Sequence, residues 1–316
     1  MAEHPTNEEA IRKIFEAKIL NNFRRSKSAA EVEKIEDEGL LNRRVKFRKL
    51  IEQDVDFYIV YHSAHIAAAW LSMLSVSIFH EMSDEGAEDP LDEQVAALVF
   101  FSRLASDLWA IIELIELGFD LQARALTRAY LEHVDVLICC IQDRELTREF
   151  VNAKEPEAAN AFWHRHASKN RAKAKVTRFI AGVLGLDTVT VVDVLREDAD
   201  FAGSALLHPT MVAGLATAFG APDVDYEESF PVFPNPVSAS AGILRTILVH
   251  LFWLSFATGG QPSASSGSWQ PIFRVQGLRD DLEVQRLSLL HTRMFQFLIH
   301  NEILMKPTSD DADNEA

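Results

Sequence analysis

Cysteine is scarce in this chain: only two of the 316 residues are cysteines, and these two, Cys139 and Cys140, are adjacent. Neighbouring cysteines rarely form a disulfide without strain, and the sequence offers no third thiol as a partner. A disulfide framework is therefore excluded. Because structural disulfides are typical of oxidising compartments, their exclusion favours the cytoplasm as the location.

Several motifs that identify enzymes are also missing. The sequence has no Gly-rich phosphate loop of the P-loop or dinucleotide-binding type and no Gly-x-Ser-x-Gly nucleophile motif. The Glu-x-x-His motif, which di-iron helical bundles use twice, does not occur. His62 and His65 share one helical face, but tyrosines and alanines are their sequence neighbours. We therefore expect no metal and no cofactor.

Positive charge is in the minority, since 31 Lys and Arg residues face 47 Asp and Glu residues, for a formal net charge of −16. A chain this acidic is not expected to attract nucleic acid or an anionic membrane non-specifically. Any binding of RNA or of a nucleotide would have to use a local basic patch.

Long apolar runs are few. The uncharged runs at 66–79 and 247–257 are shorter than the roughly 20 residues that cross a bilayer. The first residues lack the basic and then apolar pattern of a secretory signal. We expect a soluble protein without a membrane partner.

Helical periodicity fills most of the chain, and no period-two strand pattern stands out. Capping-box patterns at Thr6 and Ser28 predict two N-terminal helices. Gly118 is expected to end one helix in the left-handed conformation and Asp120 to cap the next. The main predicted helices are about 42–80 with one break, 91–117, 120–142, 157–180 and 278–305.

These helices predict an all-α fold, a single multi-helix bundle with appended terminal helices. The expected organisation is an N-terminal helical appendage at 1–40, a bundle domain at 41–306 and an acidic, disordered tail at 307–316. We also expect the bundle to form a homodimer through apolar helices.

A charged stripe interrupts the apolar helix predicted at 120–142. At about 100° per residue, Arg124, Arg128, Glu132 and Asp135 fall within about 80° of one another on one face. Arginines paired with carboxylates are typical of an anion or phosphate site. They are equally typical of a structural ion-pair network, which Arg103 and Asp107 on the preceding helix would complete.

The same helix contains arginine, four residues and histidine, from Arg128 to His133. This spacing resembles the Arg-(four to six residues)-His motif of the HEPN superfamily of helical bundles, many of which are metal-independent ribonuclease toxins. The resemblance implies roles in RNA cleavage for both residues. A core histidine is the alternative interpretation of His133, which lies about 140° from Arg128 in a regular helix.

A second resemblance spans roughly residues 95–215. The segment 111–132 is similar to the Gly-turn and Arg-x-x-x-Glu helix of a bacterial family of unknown function, often placed near HEPN-like bundles. That family carries a later Ser-x-x-x-His element, to which Ser204 and His208 correspond here. A histidine can act as a general base near neutral pH. Alternatively, His208 caps the end of its helix, which Pro209 interrupts.

A basic run lies between Arg165 and Arg178, without an acidic residue. It predicts a phosphate-tracking groove, with Phe162 and Trp163 able to stack on bases. A solvated helix face is the ordinary alternative. The residues that we expect to contact phosphate, together with the charged stripe, are Arg124, Arg165, Lys169, Arg171 and Lys175.

The leading hypothesis is a metal-independent endoribonuclease, or an RNA- or nucleotide-binding protein, of a bacterial toxin or phage-defence system. Arg128 would bind the phosphate, Glu132 would orient Arg128, and His208 or His133 would move the proton, with Ser204 beside His208. One alternative is a non-catalytic interaction or regulatory module whose charged stripe is structural. Another is a small-molecule sensor with a pocket between the helices that carry Trp70, Trp109 and Trp253.

Overall fold

The part of the chain that the structure describes folds mainly into helices. The structure, a computed structural model, describes four stretches of the chain, residues 43–83, 90–185, 236–258 and 282–305. These stretches are 88% helical and contain no strand, which confirms the predicted all-α fold. The predicted appendage and tail lie outside the described residues, as do Ser204 and His208.

The described helices follow one another along the chain with short connections at most positions. Residues 43–53 are helical and lead into α1. The helices are α1 (Val55–Ser83), α2 (Asp92–Glu116), α3 (Asp120–Gln142), α4 (Arg144–Asn152), α5 (Pro156–His166), α6 (Arg171–Leu184), α7 (Ser240–Ala257) and α8 (Leu282–His300). A 3-10 turn, Ile303–Met305, follows α8.

Four helices form the centre of the bundle. The helices α2 and α7 each pack against both α1 and α3. Each central helix contributes fully buried aliphatic side chains, such as Leu71, Leu108, Leu137 and Leu254. On the periphery, α8 packs on α1, α4 on α2 and α3, and α6 on α3. The helix α3 is thus held from several sides.

The connection between α2 and α3 is the predicted tight hairpin. Gly118 has a φ of 78°, in the left-handed region that favours glycine. The backbone N–H groups of Gly118 and Phe119 donate to the carbonyls of Ile115 and Leu114 over 3.0 and 2.7 Å. The capping role predicted for Asp120 is wrong, because Phe119 is the N-cap residue and no side chain caps the helix.

The long N-terminal helix has one break, whose position was not predicted. It lies at Asp54, whose carboxylate accepts a hydrogen bond from the backbone N–H of Phe57 over 2.9 Å. The single helix predicted at 157–180 is wrong. It is divided into α5 and α6 by a turn at 167–170, in which Lys169 and Asn170 have positive φ. The helix α4 was not predicted; the Asp143 side chain caps it.

Three described helices, α1, α2 and α7, are long and apolar enough to cross a membrane by length and composition alone. The run 66–79 ends at His65 and His80, and α1 continues past both residues. The helix α7 likewise begins at Ser240, before the run 247–257. In α7, 78% of the most apolar window is buried within the protein, against 44% in α1. The cytoplasmic location remains a prediction.

Candidate functional site

A cavity of about 380 Å³ lies beside α3, at the lower end of the range of about 300–1,000 Å³ that is usual for small-molecule sites. Its walls come from α3, from the end of α5, from the turn at 167–170, from the start of α6 and from α7. Packing of α6 and α7 on α3 brings these separate elements together.

The helix α3 supplies one wall with three consecutive members of the charged stripe, Arg128, Glu132 and Asp135. Arg128 Nε lies 3.9 Å from Glu132 Oε1, which is an ion pair but longer than a hydrogen bond, and both side chains are about half exposed. Asp135 is only 6% exposed and interacts with the rest of the protein. The cavity therefore holds a half-exposed ion pair and a buried carboxylate.

The opposite wall is built by the end of α5 and the turn that follows it. Trp163 is 41% exposed and lines the cavity, as do Lys169 and Asn170 in the turn and Lys173 in the first turn of α6. Lys169 and Asn170 have φ of 56° and 60°, a conformation that asparagine tolerates better than most residues. Their left-handed backbone turns the chain and directs this segment along α3.

The helix α7 contributes His250, which is 1% exposed and lines the cavity. Its Nδ1 lies 2.9 Å from the carbonyl oxygen of Thr246. Because a carbonyl oxygen only accepts, Nδ1 must be the donor, and in the neutral imidazole the second nitrogen, Nε2, is then an acceptor. The ring of Trp253 packs 4.4 Å from the imidazole, centroid to centroid.

Three cationic side chains, Arg128, Lys169 and Lys173, and two carboxylates line this cavity. Positive charge therefore exceeds negative charge locally, in a chain of net charge −16. Lys173 is half-buried and, like Asp135 and His250, interacts with other groups of the protein. The lining of the cavity thus carries a small excess of positive charge, which favours an anionic ligand.

Arg124 does not line the cavity. Its Nε donates to Asp120 Oδ2 over 2.7 Å, and the other oxygen of this carboxylate accepts from Ser240 Oγ over 2.7 Å. Arg124 and Asp120 are each about one-fifth exposed. This end of the stripe thus ties the start of α3 to the start of α7, as the structural interpretation predicted.

Three other residues with predicted phosphate contacts also lie outside the cavity. Arg165 forms an ion pair with Glu149 in α4. The Arg171 guanidinium donates to the carbonyls of His164 and, over 3.1 Å, of Arg165, so it caps the end of α5. Lys175 is exposed one turn later in α6. Only Lys169 of the predicted basic set is in the cavity.

His133 lies on the α2 side of α3 and does not line the cavity. Its Nδ1 is 3.7 Å from Asp107 Oδ2, which also accepts a 2.7 Å hydrogen bond from Arg103. Burial lowers the pKa of His133, and the nearby Asp107 opposes that effect while Arg103 adds to it. The structure therefore separates Arg103 and Asp107 from the stripe that we expected them to complete.

The two aromatic residues that were predicted to stack on bases, Phe162 and Trp163, have different surroundings. Phe162 is 6% exposed and packs edge-on against Phe150, with ring centroids 5.5 Å apart, so its faces are unavailable to a ligand. Trp163 points outward and reaches the cavity. None of the three tryptophans of the small-molecule hypothesis, Trp70, Trp109 and Trp253, lines this cavity. Trp70 stacks on His291 at 4.0 Å, and Trp109 donates to Ser72 over 3.2 Å.

Sequence reasoning missed two ionisable residues of the cavity, His250 and Lys173. The available signal for His250 was an ionisable side chain within an otherwise apolar helix. Lys173 belonged to the basic run but was not distinguished from its neighbours. Within the four described stretches, no group of three or more His, Cys, Asp or Glu could hold a metal ion.

Comparisons of the chain with protein-family models, with curated proteins and with solved structures found no match. The resemblance to HEPN-like bundles therefore remains a prediction, and the residues of the cavity are the basis for proposing a function.

Proposed function

We propose that the protein binds a nucleotide, or a nucleotide unit of single-stranded RNA, in this cavity. The observation that carries the proposal is the position of Arg128, Lys169 and Lys173 around one hollow that an exposed indole also lines. Guanidinium and ammonium groups bind phosphate oxygens through charge-assisted hydrogen bonds. All three cations line the same cavity, so a phosphate bound in it can contact more than one of them.

Trp163 supports a nucleotide over inorganic phosphate as the ligand. A base that stacks on an aromatic side chain gains about 1–3 kcal/mol, and stacking is largely independent of base identity. Trp163 presents an exposed ring at the rim of the same cavity as the cations. Phosphate and base would thus be bound by neighbouring parts of one site.

Binding of a mononucleotide and of a short RNA, measured by calorimetry at fixed salt, tests this proposal. Arg128→Ala should weaken binding about tenfold, the lower end of what a hydrogen bond to a charged group contributes, because Arg128 is partly exposed. Arg178→Ala is the matched control, since it removes the same charge from an exposed site in α6 outside the cavity. Equal affinities for the two variants would overturn the proposal.

His250 favours a second function, the metal-independent cleavage of RNA. In this reaction Nε2 of His250 accepts the proton of a ribose 2′-hydroxyl, and the 2′-oxygen forms a bond to phosphorus. The bond from phosphorus to the 5′-oxygen breaks, and that oxygen takes a proton from water, which leaves a 2′,3′-cyclic phosphate. Arg128 would stabilise the charge on the phosphate. The fixed Nδ1 contact to Thr246 keeps the imidazole in the required tautomer.

Cleavage of RNA in the presence of EDTA tests this second function. We expect cyclic-phosphate products from the parent and their loss in His250→Asn, whereas His300→Asn at the exposed end of α8 retains activity. Retained nucleotide affinity shows that the His250 variant is folded. Loss of cleavage in His208→Asn alone would instead assign proton transfer to His208, and binding without cleavage would leave a non-catalytic module.

A further inference from the structure

We propose that the cavity selects guanine among the bases, an inference that rests on the proposed nucleotide binding. Glu132 lines the same cavity as Trp163, and its side chain is 52% exposed. The distance of 3.9 Å from Arg128 Nε to Glu132 Oε1 is too long for a hydrogen bond, so the carboxylate oxygens can accept bonds from a ligand.

Base chemistry makes a carboxylate selective. An ionised carboxylate only accepts hydrogen bonds, and its two oxygens can bind two adjacent donors. Guanine is the base that presents two adjacent donors on its Watson–Crick edge, N1–H and the N2 amino group. Adenine and cytosine each present one amino donor beside an acceptor nitrogen, which a carboxylate repels, and uracil presents a single N–H between two carbonyls.

The positions of the remaining groups fit this assignment. With the purine on Trp163 and its Watson–Crick edge at Glu132, the phosphate is left to the cationic residues of the turn and of α6, Lys169 and Lys173. The half-exposed Arg128 lies one turn from Glu132 and can contact either the phosphate or the base. The buried Asp135, which already interacts within the protein, is not required for base selection.

Calorimetric titration of the full chain with GMP, IMP and AMP tests the inference. We expect GMP to bind about tenfold more tightly than AMP, and IMP to lie between them because it keeps N1–H and lacks the amino group. In Glu132→Gln the ratio of GMP to AMP affinity should fall to about threefold or less. Glu145→Gln, which removes the same charge from an exposed site in α4, should keep the ratio of the parent.

Each outcome distinguishes this inference from the function on which it rests. If the parent binds none of the three nucleotides, the proposed function itself is wrong. If GMP and AMP bind equally, nucleotide binding stands and guanine selection is overturned. If GMP is preferred but Glu132→Gln keeps the full preference, the assignment of base selection to Glu132 is overturned. The comparison of GMP with IMP in the parent needs no variant, and it tests the contact to the N2 amino group separately.

Discussion

The buried imidazole of His291 should make the stability of the protein depend on pH. His291 is 2% exposed in α8, where its ring stacks on Trp70 of α1 at 4.0 Å and meets Phe295 edge-on at 4.7 Å. Among the described residues, Nε2 has no hydrogen-bond partner. Burial therefore lowers the pKa of His291 to about 3, from 6.5 for a free histidine.

The sign of the effect follows from this lowered pKa. Below pH 6.5 the unfolded chain takes up a proton at His291, whereas the folded protein does not until the pH approaches 3. The free energy of unfolding therefore falls as the pH falls through this window, by up to about 1.4 kcal/mol for each pH unit. When the pH is lowered from 7.5 to 5.5, this one group should lower the free energy of unfolding by about 1.4 kcal/mol.

The assay is urea unfolding, followed by circular dichroism, of the parent and of His291→Phe at both pH values. Phenylalanine keeps an aromatic ring against Trp70 and does not titrate, so the parent should lose about 1.4 kcal/mol more stability than the variant over this interval. The lower pH stays above the isoelectric point of about 5.1. His300→Gln, at the exposed end of α8, should follow the parent. Equal losses of stability in the parent and in His291→Phe would contradict this prediction.

Three further predictions concern α3 and its contacts. Tyr130→Phe should leave the stability unchanged or raise it by about 1 kcal/mol, measured by urea unfolding, because the hydroxyl is fully buried and has no hydrogen-bond partner among the described residues. The thiol of Cys140 should not react with a thiol reagent until the protein is unfolded, since it is buried and burial raises its pKa; rapid labelling of the native protein would contradict this. Arg124→Ala should lower the stability by about 1 kcal/mol and change nucleotide affinity less than twofold, because Arg124 pairs with Asp120 outside the cavity; a loss of affinity like that of Arg128→Ala would contradict it.

Features that depend on local chemistry were predictable from the sequence. The hairpin between α2 and α3 needed only Gly118, which adopts positive φ without a steric cost. The shared face of Arg128, Glu132 and Asp135 followed from the helical period. Both inferences use neighbours within a few residues. The break before α1 is equally local, since the short side chain of Asp54 satisfies a free backbone donor at the helix start, but its position was not predicted.

Features that depend on distant partners were not predictable. Asp120 was expected to cap α3, but its carboxylate binds Arg124 and Ser240, a residue 120 positions away in the sequence. The basic run gave no means of separating Lys169 and Lys173 from Arg165 and Arg171. Glu149 and the carbonyl groups at the end of α5 engage the two arginines, and only the fold places those acceptors.

The turn at 167–170 explains why the charged stripe becomes part of a cavity rather than an exposed helix face. The sequence there has neither glycine nor proline, so the periodicity continued through it and predicted one helix. In an unbroken helix, Lys169 would lie about 120° around the axis from Trp163, and the two side chains would not share a surface. Two consecutive left-handed residues, Lys169 and Asn170, redirect the chain and place both side chains at the same hollow. The proposed contacts of Lys169 and Trp163 thus require a break in the helical pattern. The shared face of Arg128 and Glu132 requires that α3 stays regular.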